Sequence, residues 1–182
     1  DADGLATNTS STVYSNNKDY ITWKNVSTDG GTGAIDSFSD NNITHGFRSA
    51  NDNDYMECIN CMAQSHYYGF YRVAYLTDCV ALAHYYAIYQ GYLVDRCIAM
   101  SGYTGIFGVD LVRNSIGHGA STGFYNNDVV LNCTGLGGIS FRPYAGDFIY
   151  NCSAEFGSYG YYGGFNTNAS QNGMISSSFV TH

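Results

Sequence analysis

The sequence predicts an all-β fold, a single domain wound as a parallel solenoid with about eighteen residues per coil. Three observations carry that expectation. Cys61, Cys79 and Cys97 are eighteen residues apart, Ser115 holds the next place, Cys133 follows after eighteen more and Cys152 after nineteen. The residues after each of these alternate between small and large, the period of a strand. Apolar residues then recur at two further fixed places in every unit, so each coil holds three short strands.

Composition agrees. Among 182 residues there are 22 Gly and 18 Tyr, one Pro (Pro143), seven Lys plus Arg and fifteen Asp plus Glu. Such a chain is poor in helix formers and rich in strand formers. It is long enough to bury a core without metal or disulfides. The net charge of −8 excludes nucleic acid and anionic lipid as expected partners, since both need clustered cations. No apolar run reaches the roughly twenty residues of a membrane span, so no membrane insertion is expected. The chain starts at Asp1 rather than Met, as a processed protein or an excerpt does.

Five units span residues 61 to 151: "CMAQSHYYGFYRVAYLTD", "CVALAHYYAIYQGYLVDR", "CIAMSGYTGIFGVDLVRN", "SIGHGASTGFYNNDVVLN" and "CTGLGGISFRPYAGDFIYN". In the first strand, Cys79, Ala81 and Ala83 face inward and Val80 and Leu82 outward. The inward column stays small because equivalent side chains in stacked coils lie only about 4.8 Å apart. The second strand supplies the ladder Phe70, Ile88, Ile106 and Phe124, each preceded by a Gly or Ala that suits a tight bend. The third supplies Leu76, Val94, Val112, Val130 and Ile149. Asp78, Asn114, Asn132 and Asn151 close it at a corner, where Asp and Asn tolerate unusual backbone angles. Upstream, Ala34-Ile35 stands as far from Val26 as Gly69-Phe70 from Cys61, which places the start of the repeat there, with an irregular unit between.

These recurring "LVxN-C-x-A" and "GF" or "GI" elements resemble the right-handed parallel β-helix superfamily, which includes pectate-lyase-like enzymes, tailspikes and repeat-bearing bacterial surface proteins. The resemblance covers about residues 20 to 182 and implies a right-handed parallel β-helix over 21–182, with residues 1–20 as an N-terminal cap or exchanged arm. It also implies polysaccharides as a ligand class, calcium held by clustered aspartates and a basic residue that abstracts a proton. No lyase or hydrolase motif matches residue by residue. A left-handed hexapeptide helix fits worse, because Cys79, Tyr85 and Gly91 occupy the six-residue step that it fills with aliphatics.

The candidate site residues follow from the columns. Asp110 and Asp128 share a place in consecutive coils, Asp147 matches them after one extra residue, and Arg113 is near in sequence. Carboxylates about 5 Å apart suit glycoside hydrolysis, yet recurring corner aspartates need no chemistry. His66 and His84 are expected to stack. Two aromatic rows, Tyr67, Tyr85 and Tyr103, and Tyr71, Tyr89, Phe107 and Tyr125, are expected on the surface as sugar platforms or interface anchors. Met62, Val80, Ile98 and Ile116, beside Leu82, Met100 and Leu136, form an outward apolar strip, the mark of a contact surface. Cys58-x-x-Cys61 lacks the second pair of a zinc site, and the thiols read as small buried hydrophobes. No metal and no cofactor are expected. Asn8, Asn25, Asn42, Asn132, Asn151 and Asn168 begin Asn-x-Ser/Thr triplets, candidate glycosylation sites.

The expectation is an extracellular or cell-surface structural protein that assembles into a homo-oligomer, homopolymer or surface layer, without enzymatic activity. A polysaccharide-binding or polysaccharide-degrading protein is the alternative. The segments at both ends show no helical cap, which leaves the terminal coils open to head-to-tail stacking into a filament.

Overall fold

A computed structural model of the chain describes residues 11–15, 20–30, 44–49, 55–144, 147–155, 159–161, 174–176 and 179–180. The statements below concern these residues. They form one parallel sheet system without helix, in which each strand pairs with its counterpart one coil away. The fold is a single-domain parallel β-solenoid.

Register shows why the sequence repeats. Val80 pairs with Ile98 and Ala81 with Ala99 on the first wall. On the other two walls, Ile106 lies over Ile88 and Val112 over Val94. Each inward column is closed to solvent: Cys61, Cys79, Cys97, Ser115, Cys133 and Cys152; then Phe47, Phe70, Ile88, Ile106, Phe124 and Phe141; then Cys58, Leu76, Val94, Val112, Val130 and Ile149. Phe47 stacks on Phe70 and Phe124 on Phe141, both at 4.9 Å. Columns of like side chains thus pack like on like, which lets one residue type serve every coil.

The corner before the head of each coil is left-handed. Asn25, Asn60, Asp78, Arg96, Asn114, Asn132 and Asn151 all have φ between 51° and 56°, a conformation that Asn and Asp reach more easily than other side chains. A second left-handed corner, between the second and third walls, holds Arg72, Gln90, Gly108 and Asn126. Its mixed residue types hid it in the sequence. Behind it, buried Asn127 accepts from the Val109 N–H at 3.0 Å and donates to the Ile106 carbonyl at 3.2 Å, so its amide is satisfied inside the core.

Two expectations are corrected. The place of Gly69-Phe70 in the preceding coil belongs to Gly46-Phe47, since Phe47 pairs with Phe70; Ala34 and Ile35 lie outside the described residues. The two corner asparagines of this coil, Asn25 and Asn60, are 35 residues apart yet hydrogen-bonded, so extra chain between Gly30 and Thr44 defeats an eighteen-residue count. The small residue before the second ladder is also set by crowding rather than by a bend. A Cβ on Gly123 would meet the carbonyls of Gly117 and Ser140 at 2.6 and 2.7 Å.

Ser11–Ser15, within the expected N-terminal segment, forms a strand of the same sheet and pairs with His45–Ser49.

Candidate functional site

Stacking identical coils stacks the aromatic residues as well, and the geometry of that stacking decides what the rows can bind. Tyr67 lies over Tyr85 at 4.9 Å and Tyr85 over Tyr103 at 4.6 Å, with interplanar angles of 20° and 6°. Tyr71, Tyr89 and Phe107 stack at 5.1 Å, and Phe107 meets Tyr125 edge-on at 5.1 Å. A row that the sequence reading missed, His45, Tyr68 and Tyr86, stacks at 5.2 and 5.6 Å between the other two. Tyr68 touches Tyr67 and Tyr71 edge-on, joining all three rows into one slab. The doubled tyrosines at 67–68 and 85–86 were its available sign.

Arg48 and Arg72 lie over Tyr71, and Arg142 over Tyr125. Burial, reinforced by neighbouring phenols, pushes the hydroxyls of Tyr68 and Tyr86 well above the ordinary range. Ring faces within the stacked rows are therefore covered by other rings. Stacked on one another, the rings form a stabilising spine, each pair contributing about 0.5–1.5 kcal/mol beyond area burial, while Tyr103, at the end of its row, stays 37% exposed.

The apolar strip is open. On the outer side of the first wall, Met62, Val80, Ile98 and Ile116 stand in register, as do Leu82, Met100, His118 and Leu136. Ile98, Met100 and Ile116 are 40%, 43% and 38% exposed, high values for side chains of this kind. A groove with a volume of about 490 Å³ runs beside it, lined by Gln64, Leu82, His84, Met100, Ser101 and His118 among others. Among the described residues no Asp, Glu, Lys or Arg lines it, and the column that runs through Gln64, Leu82, Met100, His118 and Leu136 meets carboxylates only at its ends, Asp29 and Glu155.

The carboxylates divide. Asp110, Asp128 and Asp147 precede the paired residues Leu111, Val129 and Phe148 and so form a column. Burial and Asp128 raise the carboxyl of Asp110. Burial raises Asp147 too, against the Tyr144 backbone N–H and with Asp128 adding to the rise. Asp147 is 5% exposed and accepts from that N–H at 2.6 Å, which fixes the turn before the third-wall strand Phe148–Tyr150.

Arg113 points elsewhere. It pairs with Asp95 at 3.1 Å, and Arg96 bridges Asp95 and Asp78, each at 2.7 Å. Burial would raise Asp95, but Asn114, Arg113 and Arg96 hold it below the usual carboxylate range. The expected basic partner of the aspartate column is thus engaged at the far end of its strand. Among the described residues no group of three or more His, Cys, Asp or Glu is placed to hold a metal ion.

The six cysteines are free and buried. They do more than fill space, because each thiol at the head of a regular coil donates to the carbonyl two residues back, as Cys97 does to Asp95 at 3.3 Å and Cys133 to Leu131 at 3.1 Å. Sulfur also accepts: the N–H of Cys79 points to the Cys97 sulfur at 3.4 Å. Ser115 makes the same pair of bonds, to Arg113 O and from the Cys97 N–H. Burial and Cys61 push the Cys58 thiol far up, while hydrogen bonding from Cys58 draws Cys61 down to about 6.

The expected His66–His84 stack is absent. Ser65 adopts φ 59° and the register shifts, so His66 lies over Ala83, buried, with Nε2 3.1 Å from the Thr28 hydroxyl. His84 stays exposed beside the groove. Asn25, Asn132 and Asn151 are exposed corner residues, and the amide of Asn151 donates to Asn132 at 2.8 Å. Asn8, Asn42 and Asn168 lie outside the described residues.

Fold and surface together define a parallel β-solenoid with an internally closed aromatic spine and an open apolar strip. Comparison with family models, with curated proteins and with solved structures finds no match to the chain.

Proposed function

We propose that this chain is a structural subunit of an extracellular self-associating filament or layer, and that a second copy docks on the apolar strip of the first wall. One observation carries the reading: Ile98, Met100 and Ile116 are exposed on the outer side of one wall, Ile98 and Ile116 in register, on a chain of net charge −8. Bringing two such acidic surfaces together requires an uncharged seam, and the strip is one. Its period of about 4.8 Å is matched by another copy of the same wall. A self-complementary contact on the strip joins two copies as a closed pair, and head-to-tail stacking of coils, a heterologous contact that need not close, extends such pairs into a filament. The right-handed sense implied by the sequence resemblance agrees with the strong chiral preference of parallel crossovers. The extracellular assignment rests on that resemblance and on Asn25, Asn132 and Asn151, sequon asparagines at exposed corners.

Electron microscopy of the purified chain tests the proposal, combined with incubation on acidic and neutral polysaccharides while unsaturated products and reducing ends are followed. Ordered assemblies without turnover are the expected result. Turnover of a polysaccharide, or dispersed monomers at high concentration, would overturn it.

A further inference from the structure

The aromatic slab ends in a pair of tyrosines whose geometry differs from the stacks. Tyr144, 52% exposed, lies against Tyr125 with ring centroids 5.7 Å apart and planes at 20°. Their hydroxyl oxygens meet at 2.9 Å, closer than the centroids, so the rings converge at their phenolic ends. The closest approach is therefore at the phenolic oxygens, and the ring carbons ortho to each oxygen are the ones next to it.

The pair is held from both sides. Arg142 lies 4.7 Å from the Tyr125 ring centroid. The backbone of Tyr144 is pinned to Asp147, which accepts its N–H and donates its own N–H to the Tyr144 carbonyl at 3.2 Å.

We infer that Tyr125 and Tyr144 form an oxidative cross-linking site, converted to an intrachain dityrosine by a one-electron oxidant of the haem-peroxidase class acting with hydrogen peroxide. Each phenol gives up one electron to the oxidant and its hydroxyl proton to solvent. The two phenoxyl radicals join through a carbon–carbon bond between ortho positions, and the two displaced ring hydrogens return to the oxygens to restore the phenols. Hydrogen peroxide takes up the two electrons and two protons and leaves as two waters, so the protein loses two hydrogens in all. The bond would tie the turn at Tyr144 to the preceding coil. It depends on a contact within one chain and stands apart from self-association.

The test treats dilute full-length protein with a haem peroxidase and limiting hydrogen peroxide. Dityrosine fluorescence is read first, and proteolytic peptides are then mapped by mass spectrometry. The expected product joins the peptides carrying Tyr125 and Tyr144 and weighs two hydrogens less than their sum. In Tyr144→Phe, which keeps the ring but cannot form a phenoxyl radical, this product is lost while the circular dichroism is unchanged. Tyr125→Phe gives the same loss from the other partner, and serves alone if the first variant fails to fold. Cross-links confined to other exposed tyrosines such as Tyr14, Tyr20, Tyr92 and Tyr150, or found only between chains, would overturn the assignment. So would persistence of the 125–144 product in Tyr144→Phe.

Discussion

At the scale of single residues, the head of each coil makes two demands that few side chains meet together. The place is too narrow for a large group, and it holds a carbonyl two residues back and an N–H one coil away that both need partners. Cys and Ser satisfy both, so Ser115 takes its turn in a column of cysteines. Cys97→Ser should therefore shift the urea midpoint by less than about 1 kcal/mol equivalent, whereas Cys97→Leu should destabilise by about 1–3 kcal/mol through overpacking. Native labelling with a thiol reagent should be slow at every cysteine, including Cys61 with its lowered pKa, because access rather than ionisation limits the reaction.

His66 supplies a pH dependence. Burial holds its pKa down at about 4, against an ordinary value near 6.5. The unfolded chain therefore binds the proton more readily, and the stability contributed by neutral His66 is complete above about 6.5 and lost as pH falls toward 4. Urea unfolding between those values should show a loss of up to about 3 kcal/mol, one that His66→Gln removes. Asp78 and Asp95, held below the ordinary carboxylate range by Arg96 and by Asn114 with Arg113 and Arg96 respectively, act only at lower pH.

At the scale of the strand and its corner, the solenoid is fixed by contact between neighbouring coils. Gly123→Ala should cost more than about 2 kcal/mol, because its Cβ would press on backbone carbonyls that cannot retreat. Ala87→Gly, in the same column, should cost only about 0.5–1 kcal/mol. Thermal melts of the two variants check the contrast. These columns were legible in the sequence because stacked coils ask the same of each position: the cysteine, phenylalanine–isoleucine and valine ladders and the asparagine corner all lie where their spacing put them. What was hidden depends on interruptions or on direction. The long coil between Asn25 and Asn60 displaced Gly46-Phe47 from its counted place, and one left-handed residue, Ser65, moved His66 off His84. Spacing also put the tyrosines in rows but said nothing of their planes, and it is the planes that close the ring faces. Arg113 lay near the aspartates in sequence, yet strand pairing placed it beside Asp95.

At the scale of the whole molecule, the surface is divided by what the coils do with it. One side is covered by tyrosines that satisfy one another, the corners by asparagines and an Asp78–Arg96–Asp95–Arg113 network, and the first wall is left apolar. The exposed Arg96–Asp78 pair contributes little, and the contacts of Arg96 and Arg113 with buried Asp95 largely offset the cost of burying its charge. Burying a row of isoleucine and methionine side chains contributes more, at about 25 cal/mol per Å² removed from water. That difference is why association is assigned to the strip. Sedimentation velocity of the wild-type chain beside an Ile98→Lys/Ile116→Lys variant, matched for far-ultraviolet circular dichroism, tests this most directly. The account predicts concentration-dependent association of the wild type and a monomeric variant with an unchanged spectrum; equal association of both, or a wild type that stays monomeric across the concentration range, would contradict it.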